Sequence, residues 1–169
     1  PRSAARPLRY MDRYLLINQG SVFYMTEALA QVQGIERGPA GNTSLAVAFS
    51  LAQELDEDKI VVAQETEYTG AGKHIQPQLS FAKENGIKVE IGDPEDEVPG
   101  KNIVLPKDPS YIKAKDTDIN KMRKSYIKNC IKHSNAKKVT DKDIKFLAEE
   151  TKTNEQFVKE ELKELNIIY

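Results

Sequence analysis

The sequence predicts an α/β fold that ends in a helical tail. Two strand-like runs, Lys59-Ile-Val-Val-Ala63 and Ile87-Lys-Val-Glu-Ile91, alternate with stretches of helical periodicity, the order expected of a parallel sheet with helices on its faces. Glycine-punctuated turns precede two of the helices, as they do where such sheets bind ligands. From about Lys107 the apolar residues thin out and lysines crowd in. We therefore divide the chain into 1–106, an α/β portion, and 107–169, a helical tail.

Taken in order, Leu15 to Val22 reads as a loop or short strand entering a helix. Phe23 to Gln33 is predicted helical, with Met25, Leu29 and Val32 at helical spacing and Gly34 as its stop. The turn that follows delivers Thr43 to Leu55, a helix almost apolar all round and so expected to be buried on several sides. Lys59 to Ala63, a continuous β-branched run, is predicted to be a strand covered on both faces. His74 to Asn85 reads as a helix with Ile75, Leu79 and Ala82 inward. Ile87 to Ile91 reads as a more exposed strand, and Lys101 to Leu105 as an edge strand before Pro106. In the tail, Asp116 or Thr117 is placed as the cap of a helix running through Ile119, Met122, Tyr126, Ile127 and Cys130. Capping-box-like starts at Thr140-Asp-Lys-Asp143 and Thr153-Asn-Glu-Gln156 introduce two amphipathic helices.

The chain has 169 residues, 39% hydrophobic and 30% charged, with a net charge of −1. That is enough for one domain with a core, and near-neutrality gives no global pull toward nucleic acid or an anionic membrane. The basic stretch from Lys113 to Lys138 is followed by glutamate-rich helices that repel phosphate, so it reads as a solvated face. Cys130 is the only cysteine; no intrachain disulfide or cysteine cluster can form, and a reducing, cytoplasmic setting is expected. His74 and His133 lack metal-ligand spacing, so no metal site is expected. No apolar run approaches the ~20 residues that span a bilayer. The start Pro-Arg-Ser-Ala-Ala-Arg-Pro reads as the interior of a larger protein.

Two turns carry the candidate chemistry. Gly34-Ile-Glu-Arg-Gly-Pro-Ala-Gly-Asn-Thr-Ser44 brings short polar side chains and backbone N–H groups to the start of an apolar helix, where a polar or anionic ligand atom can dock. Thr69-Gly-Ala-Gly-Lys-His74 repeats the device one helix and one strand later. Either could equally be an ordinary loop. Cys130, in mid-helix without an activating neighbour in sequence, reads as a packed structural thiol.

With Gln33-Gly-Ile, the Gly-Pro-Ala-Gly-Asn-Thr-Ser turn, the Ala-rich helix, Lys-Ile-Val-Val-Ala and Thr-Gly-Ala-Gly-Lys in that order, residues 20–106 resemble the C-terminal third of fold-type II pyridoxal-phosphate enzymes, the tryptophan synthase β-like group. The resemblance implies a three-layer α/β/α parallel sheet and pyridoxal 5'-phosphate as cofactor. Arg13 to Thr26, Gly34 to Ser44, Glu65 to His74 and Gly92 to Asp96 look, more narrowly, like the thiolases of that group. These cleave 2-amino-4-oxopentanoate with coenzyme A to acetyl-CoA and alanine in ornithine degradation, and work with a small α subunit.

By the same resemblance Asn42, Thr43 or Ser44 would meet the pyridine nitrogen. The family's usual Ser falls opposite Gly41 or Asn42, so the cofactor contacts are expected among Gly41, Asn42, Thr43, Ser44, Thr69 and Gly70. Gln33, where tryptophan synthase β has a ring-flanking Glu, together with Gly72 and Lys73, would face the substrate; Gln33 also suits a plain helix end. The Schiff-base lysine and the phosphate cradle lie upstream in the family. No catalytic residue is therefore expected in this chain, which would be inactive by itself and depend on the missing N-terminal portion, in an oligomer. The alternatives are a fragment of another fold-type II lyase or synthase, and a non-catalytic module binding a phosphate ligand at Thr69 to Lys73.

Overall fold

The computed structural model describes residues 6–65, 74–134 and 138–169. The chain divides into two compact units, Leu15–Lys115 and the pairing of residues 1–14 with Asp116–Tyr169. In the first unit, the two-residue strand β1 (Leu15–Leu16) leads to helix α1 (Gln19–Gln33) and helix α2 (Asn42–Ala52). Helix α3 (Gln76–Glu84), strand β2 (Lys88–Gly92) and strand β3 (Asn102–Pro106) follow, and the two-residue β4 (Lys115–Asp116) has one residue in each unit. The second unit holds α4 (Ile119–Ser134), α5 (Asp141–Thr151) and α6 (Glu155–Glu164).

Strands β2 and β3 run parallel, with Val89 opposite Ile103 and Ile91 opposite Leu105. On their common face Ile103 packs with Phe23 of α1 and with Ile75, Leu79 and Ala82 around α3, the three inward positions that the helical spacing predicts. A second core joins Val22 and Met25 of α1 to Ala46 of α2 and Ile112. Ile112 is held there by backbone bonds to α2: its carbonyl accepts from Gln53 Nε2 at 3.0 Å, and Ala114 N donates to Ser50 Oγ at 2.8 Å.

Two expectations fail in this unit. Lys59 to Ala63 forms no strand, and Ile60 and Val62 are 89% and 87% exposed. Among the described residues Ile60 to Ala63 make no backbone hydrogen bond, and a β-branched run takes strand geometry in a ladder only when a neighbour supplies the other half. Helix α2 is fully buried only along Asn42, Ala46 and Ser50, one stripe at helical spacing; its remaining apolar residues are partly covered.

The tail is helical as expected, with two caps moved by one or two residues. Asp118, not Asp116 or Thr117, caps α4 by accepting from Asn120 N and Lys121 N at 3.0 and 3.1 Å. Thr140 and Asp143 close a reciprocal capping box on α5, whereas at α6 the cap is Asn154, accepting from Phe157 N at 2.8 Å. Ile127, Ile144, Leu147, Val158 and Leu162 form the tail's core, with Cys130 partly buried against it.

Candidate functional site

The turn between α1 and α2 owes its shape to its glycines and one asparagine. Helix α1 stops at Gly34, whose φ of 67° puts it in the left-handed region, and whose N–H returns to Ala30 O at 3.0 Å. A residue without Cβ takes that conformation at little cost. The chain then passes Arg37 and Gly38 and enters α2 through Gly41, which has helical backbone angles and no side chain to cap with. Asn42, Thr43 and Ser44 are thus the first three residues of α2; the N–H groups of Asn42 and Thr43 are taken by Gly38 O at 3.2 Å and Ala40 O at 3.4 Å in the preceding turn.

The three side chains have different fates. Asn42 is completely buried. Its Nδ2 donates to Thr26 Oγ1 at 3.1 Å and reaches Arg37 O at 3.4 Å, while Thr26 Oγ1 donates to Val22 O at 2.8 Å. Asn42 Oδ1 is buried and has no partner among the described residues. Thr43 is exposed, its hydroxyl 3.4 Å from Pro39 O. Ser44 Oγ lies 2.8 Å from Gln64 O and 3.1 Å from Gly41 O. With one proton to give, it donates to one carbonyl at a time, and the bond to Gln64 ties the end of the 59–65 segment to the start of α2.

That tie places Glu65 beside the turn. Among the described residues, both of its carboxyl oxygens are buried without a hydrogen-bond partner. Burial pushes its carboxyl above the ordinary carboxylate value, and the charge of Arg37 pulls the other way. Desolvation wins because no hydrogen bond supports the charged form. Two orphaned acceptors, an amide oxygen and a carboxyl, thus sit around the first turn of α2. Buried polar atoms in folded proteins nearly always have partners, and a ligand carrying hydrogen-bond donors would satisfy both.

Gln33 is exposed at the last turn of α1. Thr69, Gly70, Gly72 and Lys73 lie outside the described residues. His74, next in the chain, is exposed with Nε2 4.0 Å from Glu36 Oε1. Thr26, Arg37 and Glu65 are not among the residues that sequence reading singles out. Glu65 had one available signal: it shares a strand-like period of two with Val61 and Ala63, the half-buried face of that run. Among the described residues no group of His, Cys, Asp or Glu could hold a metal ion, and no helix is long and apolar enough to cross a membrane.

No protein-family profile matches the chain, and no solved structure matches it. It is similar to a protein of Acetoanaerobium sticklandii named 2-amino-4-ketopentanoate thiolase beta subunit, with 62% identity over 165 residues, which cover 98% of this chain and 35% of that protein. A protein of the same name from an unknown prokaryotic organism is 59% identical over 167 residues, 99% of this chain and again 35% of the relative. The chain therefore spans about a third of the length of the curated relatives it matches.

Proposed function

We propose that these residues form part of a pyridoxal-phosphate-dependent thiolase that cleaves 2-amino-4-ketopentanoate with coenzyme A to acetyl-CoA and alanine. The observation that carries this reading is identity of 62% and 59%, sustained over nearly the whole chain, to two proteins named as the beta subunit of that thiolase. On this reading the rest of a longer polypeptide supplies the reactive lysine and the phosphate cradle, a small second subunit completes the enzyme, and the isolated 169 residues are inactive.

The residues around α2 fit one wall of such a site. Bound pyridoxal phosphate would supply an electron-withdrawing ring that stabilises carbanion character on the amino-acid fragment. Asn42 is pre-organised, since its amide nitrogen is held by Thr26 and by the Arg37 carbonyl; its Oδ1 can receive a donor without moving. Ser44 spends its proton on a backbone carbonyl, so toward a ligand it offers lone pairs. Glu65, whose carboxyl oxygens are buried without a hydrogen-bond partner among the described residues, offers a further acceptor to a ligand's donor. Gly41, with Asn42, Thr43, Ser44, Thr69 and Gly70, would line the cofactor, and Gln33, Gly72 and Lys73 the substrate.

The test uses the complete polypeptide produced with its companion subunit. We expect coenzyme A-dependent formation of acetyl-CoA and alanine from 2-amino-4-ketopentanoate, and a visible absorption band bleached by borohydride. A preparation that carries the band without splitting this substrate would point to another lyase or synthase. One that lacks both would remove the cofactor assignment.

A further inference from the structure

We infer that Thr26 is a positioning residue of the proposed site. By holding the amide nitrogen of Asn42 it leaves only the amide oxygen open, so the ligand group taken at the first turn of α2 is an N–H or O–H donor and not a phosphate or carboxylate. The inference rests on the reading that this turn forms one wall of a thiolase site.

The sequence of the turn admits an anion as readily as a donor; its hydrogen bonds decide between them. Thr26 lies on α1 with 1% of its surface exposed, between Val22 and Met25 in sequence order of the core that they share with Ala46, one turn beyond Asn42. Its hydroxyl gives its single proton to Val22 O at 2.8 Å, so toward Asn42 it accepts. Asn42, with no exposed surface, meets it with Nδ2 at 3.1 Å. The same nitrogen reaches Arg37 O at 3.4 Å, beyond the usual N–H···O range, so Thr26 is the stronger hold. Two acceptors thus fix which way the amide faces, and turning it over would set Oδ1 against both. Oδ1 is left over, buried and without a partner among the described residues.

The other groups of this turn have the same polarity. Asn42 N donates to Gly38 O and Thr43 N to Ala40 O, which engages two N–H groups that an anion at a helix start would use. Ser44 Oγ donates to Gln64 O, and Glu65 adds two buried carboxyl oxygens without a partner among the described residues. A phosphate or carboxylate brought here would meet acceptors. Packing alone does not call for an amide at residue 42: a buried acceptor without a partner costs stability, and an apolar side chain of similar size avoids that cost. The donor has three possible sources: the cofactor, the amine of the amino-acid substrate, and the amide N–H groups of coenzyme A.

The test uses the complete polypeptide with its companion subunit, as wild type, Thr26→Val and Thr26→Ser. On each, pyridoxal phosphate is titrated by its visible band, KM and kcat are measured for 2-amino-4-ketopentanoate and for coenzyme A, and the thermal midpoint is recorded. Thr26→Val keeps the shape and removes the acceptor. It should weaken one of the three ligands by ~10-fold or more, the size of one lost hydrogen bond, and the ligand that weakens is the one that supplies the donor. Thr26→Ser keeps the hydroxyl and should restore that ligand to near the wild-type value. Equal losses in Thr26→Val and Thr26→Ser would overturn the inference, and so would unchanged binding of every ligand or a loss spread over all three with a fallen midpoint. If Thr26→Val does not fold, a crystal structure of the wild-type holoenzyme decides. A ligand N–H or O–H on Asn42 Oδ1 supports the assignment; a phosphate oxygen or a protein group there overturns it. A protein that shows the Val–Ser difference in cofactor binding without thiolase activity would keep Thr26 in its role and remove the proposed function. An active enzyme without that difference for any ligand would do the reverse.

Discussion

Glu65 is a carboxyl group placed where its charge finds no hydrogen-bond donor. Its folded-state pKa lies above the ordinary 4.5, with burial as the larger cause and Arg37 opposing. The folded chain therefore holds more protons than the unfolded one over a window opening near 4.5, and stability falls as pH rises through it. Glu65→Gln keeps the shape and removes the titration. Urea midpoints measured from the acid side of that window to neutrality should show the variant gaining on the wild type as pH rises; parallel curves would refute the assignment. Asn42 was legible as a candidate because Gly41-Asn42-Thr43-Ser44 precedes an apolar run. That its amide nitrogen is spent on Thr26, sixteen residues away, was not, since the bond depends on how α1 and α2 pack.

Among the elements, α1 and β3 show how closely two pieces of backbone can be brought together. A Cβ at Gly20 would sit 1.8 Å from Val104 O, so only glycine lets the first turn of α1 lie on β3. The Glu97 carboxylate stands in for a cap there, accepting from Gln19 N and Gly20 N at 2.9 Å each and from Val104 N at 3.1 Å. Gly20→Ala must push helix and strand apart and break this junction, at a cost of about 3 kcal/mol or more, the upper range for overpacking. Chemical denaturation would measure it, and a loss below ~1 kcal/mol would mean that the contact relaxes freely. Helix positions were legible because apolar spacing is local. Caps were legible to within one or two residues, since neighbouring Asp, Thr and Asn side chains compete for the same N–H groups. The 59–63 run carried a strand signal in its composition that the structure does not bear out, since a ladder needs a second strand.

At the scale of the whole molecule, the tail has a core of its own. Leu162, Val158, Ile144 and Ile127 are all fully buried within it, and Leu162→Ala should cost about 2–5 kcal/mol, read from faster amide exchange in α5 and α6. Unchanged exchange there would show that the site collapses around the smaller side chain. The same unit includes the N-terminal residues: Leu8 is buried, Arg9 meets Glu150 at 3.2 Å, Arg13 meets Asp116 at 2.6 Å, and Asp12 pairs with Lys152. These ion pairs are exposed and contribute little, so the buried Leu8 is the anchor. By itself the sequence determined the helices, the inward face of α3 and the helical tail, because periodicity and glycine placement act over a few residues. Only the tertiary structure decided which acceptors are buried without partners among the described residues, that Glu97 caps α1, that residues 6–14 join the tail, and that Ile60 and Val62 stand uncovered. Each of these depends on contacts between segments far apart in the chain, and local pattern carries no record of them.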